Sequence, residues 1–405
     1  MAALPQGSTS YTPTTPRSST TWASPGHLFE LVRTAQATRR RELQDVTGLS
    51  RSTVTGRVDQ LLAAGLLRES GVDRGTRGRP SALLAVSDDY GVVLAADLGA
   101  THARAAICDI DGTILVETNT NLLISDGPDA VLRWLERTWT GQLDTDPVTG
   151  ARVVGLGVGI PGPVNYEMGC AVRPPIMPGW DGYPVRTRLA ERFGVPGFVE
   201  NDANVMALGE YHAHVPSSSF LFVKVATGIG AGVVVDGQLL RGATGGSGDI
   251  GHIRLDGVHS QPQCACGARG CLAASASGGA IARQLRDLGR AAATSRDAVR
   301  LAEQGDTHAV ALIRNAGLLI GDVLATSVSL LNPQVLMIGG DLQRAQDHFM
   351  AALRERLYQR TQPLATRELL VLSSSLGDRS GIAGAARLVV DEVLSAESID
   401  RMLAG

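Results

Sequence analysis

Between Gly245 and Leu272 the chain reads GGSGDIGHIRLDGVHSQPQCACGARGCL, and four of its side chains could share one ion: His252, Cys264, Cys266 and Cys271. A thiolate-rich set with one imidazole suits Zn²⁺, and four such ligands close a tetrahedral site. A closed site has no open position for catalysis, so the metal is expected to be structural. Three unrelated thiols near an exposed histidine would not be compressed into CxCGxxGC, where Gly267 and Gly270 let the loop fold back on one ion. Asp249, three residues before His252, suggests a purpose: the metal pins a loop that presents polar side chains to a ligand.

Two glycine turns carry a second kind of chemistry. In Asp97-Leu-Gly-Ala-Thr101, Gly99 lets backbone N–H groups approach an anion, Thr101 can add a hydroxyl bond, and Asp97 could face a phosphate-bound Mg²⁺. Thr227-Gly228-Ile229-Gly230 offers the same arrangement later in the chain. Either turn alone is an ordinary hairpin; facing each other across a duplicated fold they would clamp phosphates. The Gly339-Gly340 turn completes the nucleotide-binding set. In Glu200-Asn201-Asp202-Ala203-Asn204 a strand gives way to a helix. Asp202 at that edge could take a proton from a sugar hydroxyl attacking a phosphoryl group, and Asn201 could orient hydroxyls. The competing reading is helix capping, for which Asn and Asp are common.

A third group is basic. From Arg17 to Pro80 there are 11 Arg against 6 acidic residues, while the rest of the chain holds 26 basic against 34 acidic. A basic module on an acidic body points to a polyanion at one end only. Here Leu28, Leu31 and Val32 fall on one helical face; Leu43, Val46 and Leu49 are expected to pack inward; Gly48 permits a tight turn and Ser50 caps the next helix. In that helix Val54, Val58, Leu61 and Leu62 form the inner face and leave Arg51, Ser52, Thr53, Thr55 and Arg57 outside, the pattern of a helix-turn-helix recognition helix. Gly56 costs that helix about 1 kcal/mol relative to Ala, which a close approach to a DNA backbone would justify. Leu66 and Leu67 then lead into a Gly-rich basic loop with Arg74, Arg77 and Arg79, the wing of a winged helix suited to a minor groove.

The elements that must position these groups follow in order. Residues 1–24, rich in Ser, Thr and Pro, lack core-forming residues and are expected to be disordered; residues 25–88 form the DNA-binding domain; residues 89–405 form the body. In the body, strand–glycine turn–strand units recur about 130 residues apart, counted from Asp97 to Thr227, which implies a duplicated α/β fold with lobes over about 89–212 plus the C-terminal helix, and 213–375. There is no long uncharged apolar run and no signal-peptide pattern, and the few cysteines suit a reducing cytoplasm. Lys224 is the only lysine, read as a bias of genome composition.

The motifs DLGATHARAAICDIDG, GVGIPGPV, ENDAN, ATGIGAG, GDIGH, CACGARGCL and NPQVLMIGGDL, in this order, resemble the ROK family of sugar kinases and transcriptional repressors over roughly residues 27–390. The resemblance implies an actin-like, two-lobed sugar-kinase fold, with a winged helix in the repressor branch, and zinc at the four residues named above. It places the sugar on Asn201, Asp202, Asp249, His252 and position 273. Two of these depart from the family pattern. Asp249 stands for the usual Glu, shorter by about 1.5 Å, and Ala273 stands where a carboxylate is usual, a charged hydrogen bond worth about 1.5–3 kcal/mol. The expected function is a sugar-responsive regulator, a repressor of carbohydrate genes, that binds double-stranded operator DNA as a homodimer or homotetramer and takes a sugar or sugar phosphate as effector. The alternatives are an ATP- and Mg²⁺-dependent sugar kinase with Asp202 as base, carrying a DNA-binding module, and a DNA-binding protein whose body only dimerises.

Overall fold

The computed structural model describes residues 24–73, 81–214, 217–256 and 261–405. The chain forms two compact units, residues 1–90 with 392–405, and residues 91–391. The expected N-terminal tail and the wing residues Arg74, Arg77 and Arg79 lie outside the described residues.

The first unit holds α1 (Pro25–Arg33), α2 (Arg40–Thr47), α3 (Arg51–Ala63) and an antiparallel hairpin of β1 (Leu67–Asp73) and β2 (Ser81–Val86). Gly48 ends α2 in the left-handed region at φ +69°, and the Ser50 hydroxyl accepts the Thr53 N–H to start α3. Leu28, Leu31, Val32, Leu43, Val54, Val58, Leu61, Leu66 and Leu67 are buried, as their spacing predicts. Val46 is a correction: it is 56% exposed, because α2 is only two turns long and Leu43 alone supplies its buried face. Leu49 and Leu62 are half-buried.

The same unit ends in a helix the sequence reading assigned to the body. Ala396–Ala404 packs on α1, and Asp400 Oδ1 accepts the Gly26 N–H at 2.8 Å. A Cβ on Gly26 would lie 2.1 Å from the Ala396 carbonyl oxygen, so the helices meet backbone to backbone. The body boundary at 405 is therefore corrected to Asp391.

The second unit contains β3 (Val92–Leu98), β4 (Ala103–Asp109), β5 (Ile114–Thr120), α4 (Pro128–Leu143), β6 (Val153–Ile160), a short hairpin of β7 (Val164–Asn165) and β8 (Cys170–Ala171), α5 (Val185–Phe193), β9 (Gly197–Asn201) and α6 (Asp202–Ala213). Then come β10 (Ser219–Val225), β11 (Ile229–Val235), β12 (Gln238–Leu239), α7 (Leu272–Ala276), α8 (Gly278–Asp287), α9 (Ser295–Glu303), α10 (Thr307–Leu331), β13 (Val335–Gly339), α11 (Ala351–Arg360), α12 (Pro363–Thr366), β14 (Leu370–Ser373) and α13 (Ser380–Val393), which crosses the unit boundary. The two sheets share one topology, β5-β4-β3-β6-β9 and β12-β11-β10-β13-β14, each with two antiparallel and two parallel pairings. The duplication is thus in the strand order, but its register differs from the one expected: Asp97 corresponds to Lys224, not Thr227.

Glycines bring the middle of this unit into backbone contact. Gly230 and Gly232 seat α6 against β11, and Gly384 lets α13 meet Val205 on α6. Gly157 does the same between β6 and Ala385 of α13. Helix α10 is long and apolar enough to cross a membrane by length and composition, with a mean hydropathy of 1.5. It carries Arg314 and Asp322, and its Ile313, Ile320, Leu324 and Val328 form the spine of the second lobe's core.

Candidate functional site

The cysteine–histidine loop closes as its spacing predicts. The ligand atoms of His252, Cys264, Cys266 and Cys271 all lie within 4.8 Å of one another. Cys264 Sγ is 3.5 Å from His252 Nδ1, and Cys266 Sγ is 3.8 Å from Cys271 Sγ. A tetrahedron with metal–sulfur bonds of 2.3 Å and metal–nitrogen bonds of 2.0–2.1 Å has edges of about 3.8 and 3.5 Å, which these two distances match. The frame is backbone: Leu255 N–H donates to Gly270, Leu272 N–H to Ile253, and Cys264 N–H to Ala268. The Ala268 backbone leads in lowering the Cys266 pKa, whereas burial pushes Cys271 up to about 12.

Because His252 turns Nδ1 to the sulfurs, its Nε2 is free to point elsewhere, and it lies 4.0 Å from Asp249 Oδ1. Position 273 is drawn to the same place: a Cβ on Gly251 would sit 3.4 Å from the Ala273 methyl. The loop also meets the first lobe. Gly245 abuts the Val164 carbonyl, and Arg241 Nε pairs with Glu200 Oε2 at 2.7 Å while its guanidinium stacks 3.8 Å above the Tyr166 ring. Glu200 is buried; its Oε1 accepts Asn201 N–H and Asn204 Nδ2, so Arg241 reaches the Glu200–Asn204 segment through one carboxylate.

Asn201 caps α6. Its Oδ1 accepts Ala203 N–H at 2.9 Å and Asn204 N–H at 3.2 Å, and its Nδ2 donates to the Gly162 carbonyl at 2.8 Å. The capping reading is therefore real, whatever else Asn201 does. Asp202 is the first residue of α6, buried, and its Oδ2 accepts from Lys224 Nζ at 2.5 Å. Lys224 is not among the expected site residues, and its being the chain's only lysine is the one sequence signal that points to it.

The nucleotide set is positioned at strand ends. Asp97 is buried near the end of β3, with Oδ2 3.9 Å from His102 Nε2; a Cβ on Gly381 would lie 2.5 Å from that same oxygen. Burial would raise the Asp97 pKa, but His102, Lys224 and Arg104 hold it below the usual carboxylate range. A Cβ on Gly99 would fall 2.1 Å from the His102 ring, so the imidazole already fills the cradle of that turn. Thr101, Thr227 and Gly228 are exposed, with open space beside Gly228. Gly340, at φ +86°, packs on the Val225 backbone. The adjacent Asp341 is held by the Ser295 hydroxyl and by Arg296 Nε at 2.9 Å.

In the first unit α3 presents Arg51, Ser52 and Gly56 exposed, with Thr53, Thr55 and Arg57 half-buried. Nothing lies within 4 Å of a Cβ built on Gly56, and Arg57 Nη1 has no hydrogen-bond partner among the described residues.

The xylose repressor of Caldicellulosiruptor bescii is 27% identical over 371 residues, covering 88% of this chain and 92% of its own. The glucokinase of Thermotoga maritima is 32% identical over 321 residues, covering 74% of this chain and 98% of its own. A crystal structure of a ROK family transcriptional regulator, described as a homologue of the Escherichia coli Mlc protein, superposes with a TM-score of 0.81 over 96% of this chain and 100% of its own at 24% identity, a likeness of fold. The ROK family model matches residues 93–392, and the chain belongs to the ROK family.

Proposed function

We propose that the protein is a sugar-responsive transcriptional repressor: the first unit binds double-stranded operator DNA through α3 and the wing, and the ROK body senses the effector. The observation that carries this is the helix-turn-helix unit itself. Similarity to the repressor extends over 88% of the chain, whereas similarity to the glucokinase stops at 74%. On α3, Arg51, Ser52, Thr53, Thr55 and Arg57 read and grip the duplex, and Arg74, Arg77 and Arg79 extend the grip from the wing. The sugar is held between Asn201 and Asp202 on one side and Asp249 and His252 on the other, with Zn²⁺ on the four ligands fixing His252. A helix-turn-helix reader of palindromic sites works as a homodimer or homotetramer in the cytoplasm.

The test is fluorescence anisotropy on the protein's own promoter region, with sugars and sugar phosphates added in turn. A salt-sensitive complex released by one sugar is the expected result. Tight binding that no sugar, phosphosugar or nucleotide alters would remove the sensor half, and no binding to any promoter fragment would remove the whole reading. The kinase alternative rests on the glucokinase likeness of the body. It requires ADP release that disappears in Asp202→Asn.

A further inference from the structure

Lys224 stands at a position the duplicated sheet makes special. It is the penultimate residue of β10, opposite Gly230 on β11 and Gly339 on β13. Asp97 is the penultimate residue of β3, opposite Arg104 on β4 and Gly159 on β6. The second copy therefore places a cation where the first places an anion. The lysine side chain is 14% exposed, and Nζ lies 2.5 Å from Asp202 Oδ2. Burial works against its charge, but the carboxylates of Asp202, Asp97 and Asp341 outweigh burial and raise the Lys224 pKa above its ordinary value.

These surroundings do not fit a metal nucleotide. A divalent ion needs carboxylate oxygens free to face it. Here one Asp202 oxygen is taken by an ammonium, Asp97 Oδ2 is packed under Gly381 and beside His102, and the His102 ring fills the Gly99 turn where a phosphate would approach; the buried Asp97 Oδ1, without a hydrogen-bond partner among the described residues, is one oxygen where a divalent ion needs several.

We propose that Lys224 is a built-in cation that takes the charge-neutralising place of the divalent ion and holds Asp202 as a hydrogen-bond acceptor for the hydroxyl of an uncharged sugar, making the cleft a reader and not a phosphoryl-transfer centre. The proposal rests on Asn201 and Asp202 facing the sugar. A carboxylate already bound to an ammonium is a poor proton acceptor, yet its other oxygen can still receive a hydroxyl. The Lys224 ammonium, spent on Asp202, does not serve a phosphate. Lys224 is a positioning residue in this account.

The experiment titrates Mn²⁺, read by electron paramagnetic resonance, into full-length wild type, Lys224→Met and Lys224→Arg, alongside ADP release from MgATP over a panel of neutral sugars. Wild type and Lys224→Arg are expected to bind Mn²⁺ equally weakly and to show no ADP release. Lys224→Met is expected to bind Mn²⁺ about tenfold more tightly than wild type once the internal cation is gone. Unchanged Mn²⁺ affinity in a folded Lys224→Met overturns the proposal, as does wild-type turnover lost in Asp202→Asn. If Lys224→Met does not fold, isotope-labelled reductive methylation of the native chain decides. Its single lysine should react slowly, and more slowly still with the effector bound; reaction at the rate of a free lysine overturns the proposal. Should no sugar bind at all in a parallel thermal-shift panel, the sugar reading fails by itself, and the Mn²⁺ result still decides the role of Lys224 as a cation.

Discussion

At the scale of single residues, the metal loop is where spacing alone carried most information. Cys264, Cys266 and Cys271 lie so close in sequence that few backbones could separate them, and Gly267 and Gly270, both at positive φ, supply the reversals that bring them onto one point. What the loop serves is less local. His252 joins the cluster by Nδ1, leaving Nε2 beside Asp249, so a metal held there and Asp249 would share one imidazole. Cys266 is the exposed member of the set and the one whose replacement disturbs packing least. Cys266→Ser is therefore expected to lower zinc from about one ion per chain to well below that, and to weaken sugar binding with only a modest loss of overall stability. Metal analysis of purified protein by mass spectrometry, paired with a sugar titration, checks both halves. Native protein without zinc would end the assignment.

At the scale of elements, α3 follows its sequence pattern at every position but one. Its inner face follows the expected rule, with Val54, Val58 and Leu61 buried, and Ser50 caps it as its residue type predicts. Gly56 breaks the rule, and no neighbour among the described residues explains it, since a methyl there meets open space. A glycine in an exposed helix interior costs about 1 kcal/mol, so Gly56→Ala should raise the stability of the free protein by roughly that amount. If the α3 face lies against the duplex, the same methyl meets a backbone or base, and operator affinity should fall by about tenfold, or about 1.4 kcal/mol. Thermal melting and anisotropy on one preparation measure both. A stabilised variant with unchanged operator affinity would move the duplex away from this part of α3.

At the scale of the whole molecule, local patterns were legible and long-range pairings were not. The two strand–turn–strand copies could be seen, but they could not be aligned on their glycines. The β3–β4 connection spans residues 99–102 and the β10–β11 connection only 226–228, so matching the turns slips the register and hides Lys224 behind Thr227. The C-terminal helix was hidden for a related reason. Ala396–Ala404 is short and amphipathic, and its partner α1 lies at the other end of the sequence. Its packing nevertheless has a definite cost if lost. Asp400 accepts the Gly26 N–H in the first turn of α1, where Ser24 accepts from His27, so two of the helix's otherwise unsatisfied donors depend on side chains. Asp400→Ala should cost the DNA-binding unit about 1 kcal/mol, and removal of residues 394–405 much more, because Leu394 and Ile399 leave its core. Operator affinity should therefore fall on truncation while sugar binding by the body persists, each measured separately by anisotropy and calorimetry. A truncated chain that holds its operator with full affinity and melts as the intact one does would mean that the first unit is complete without its C-terminal helix.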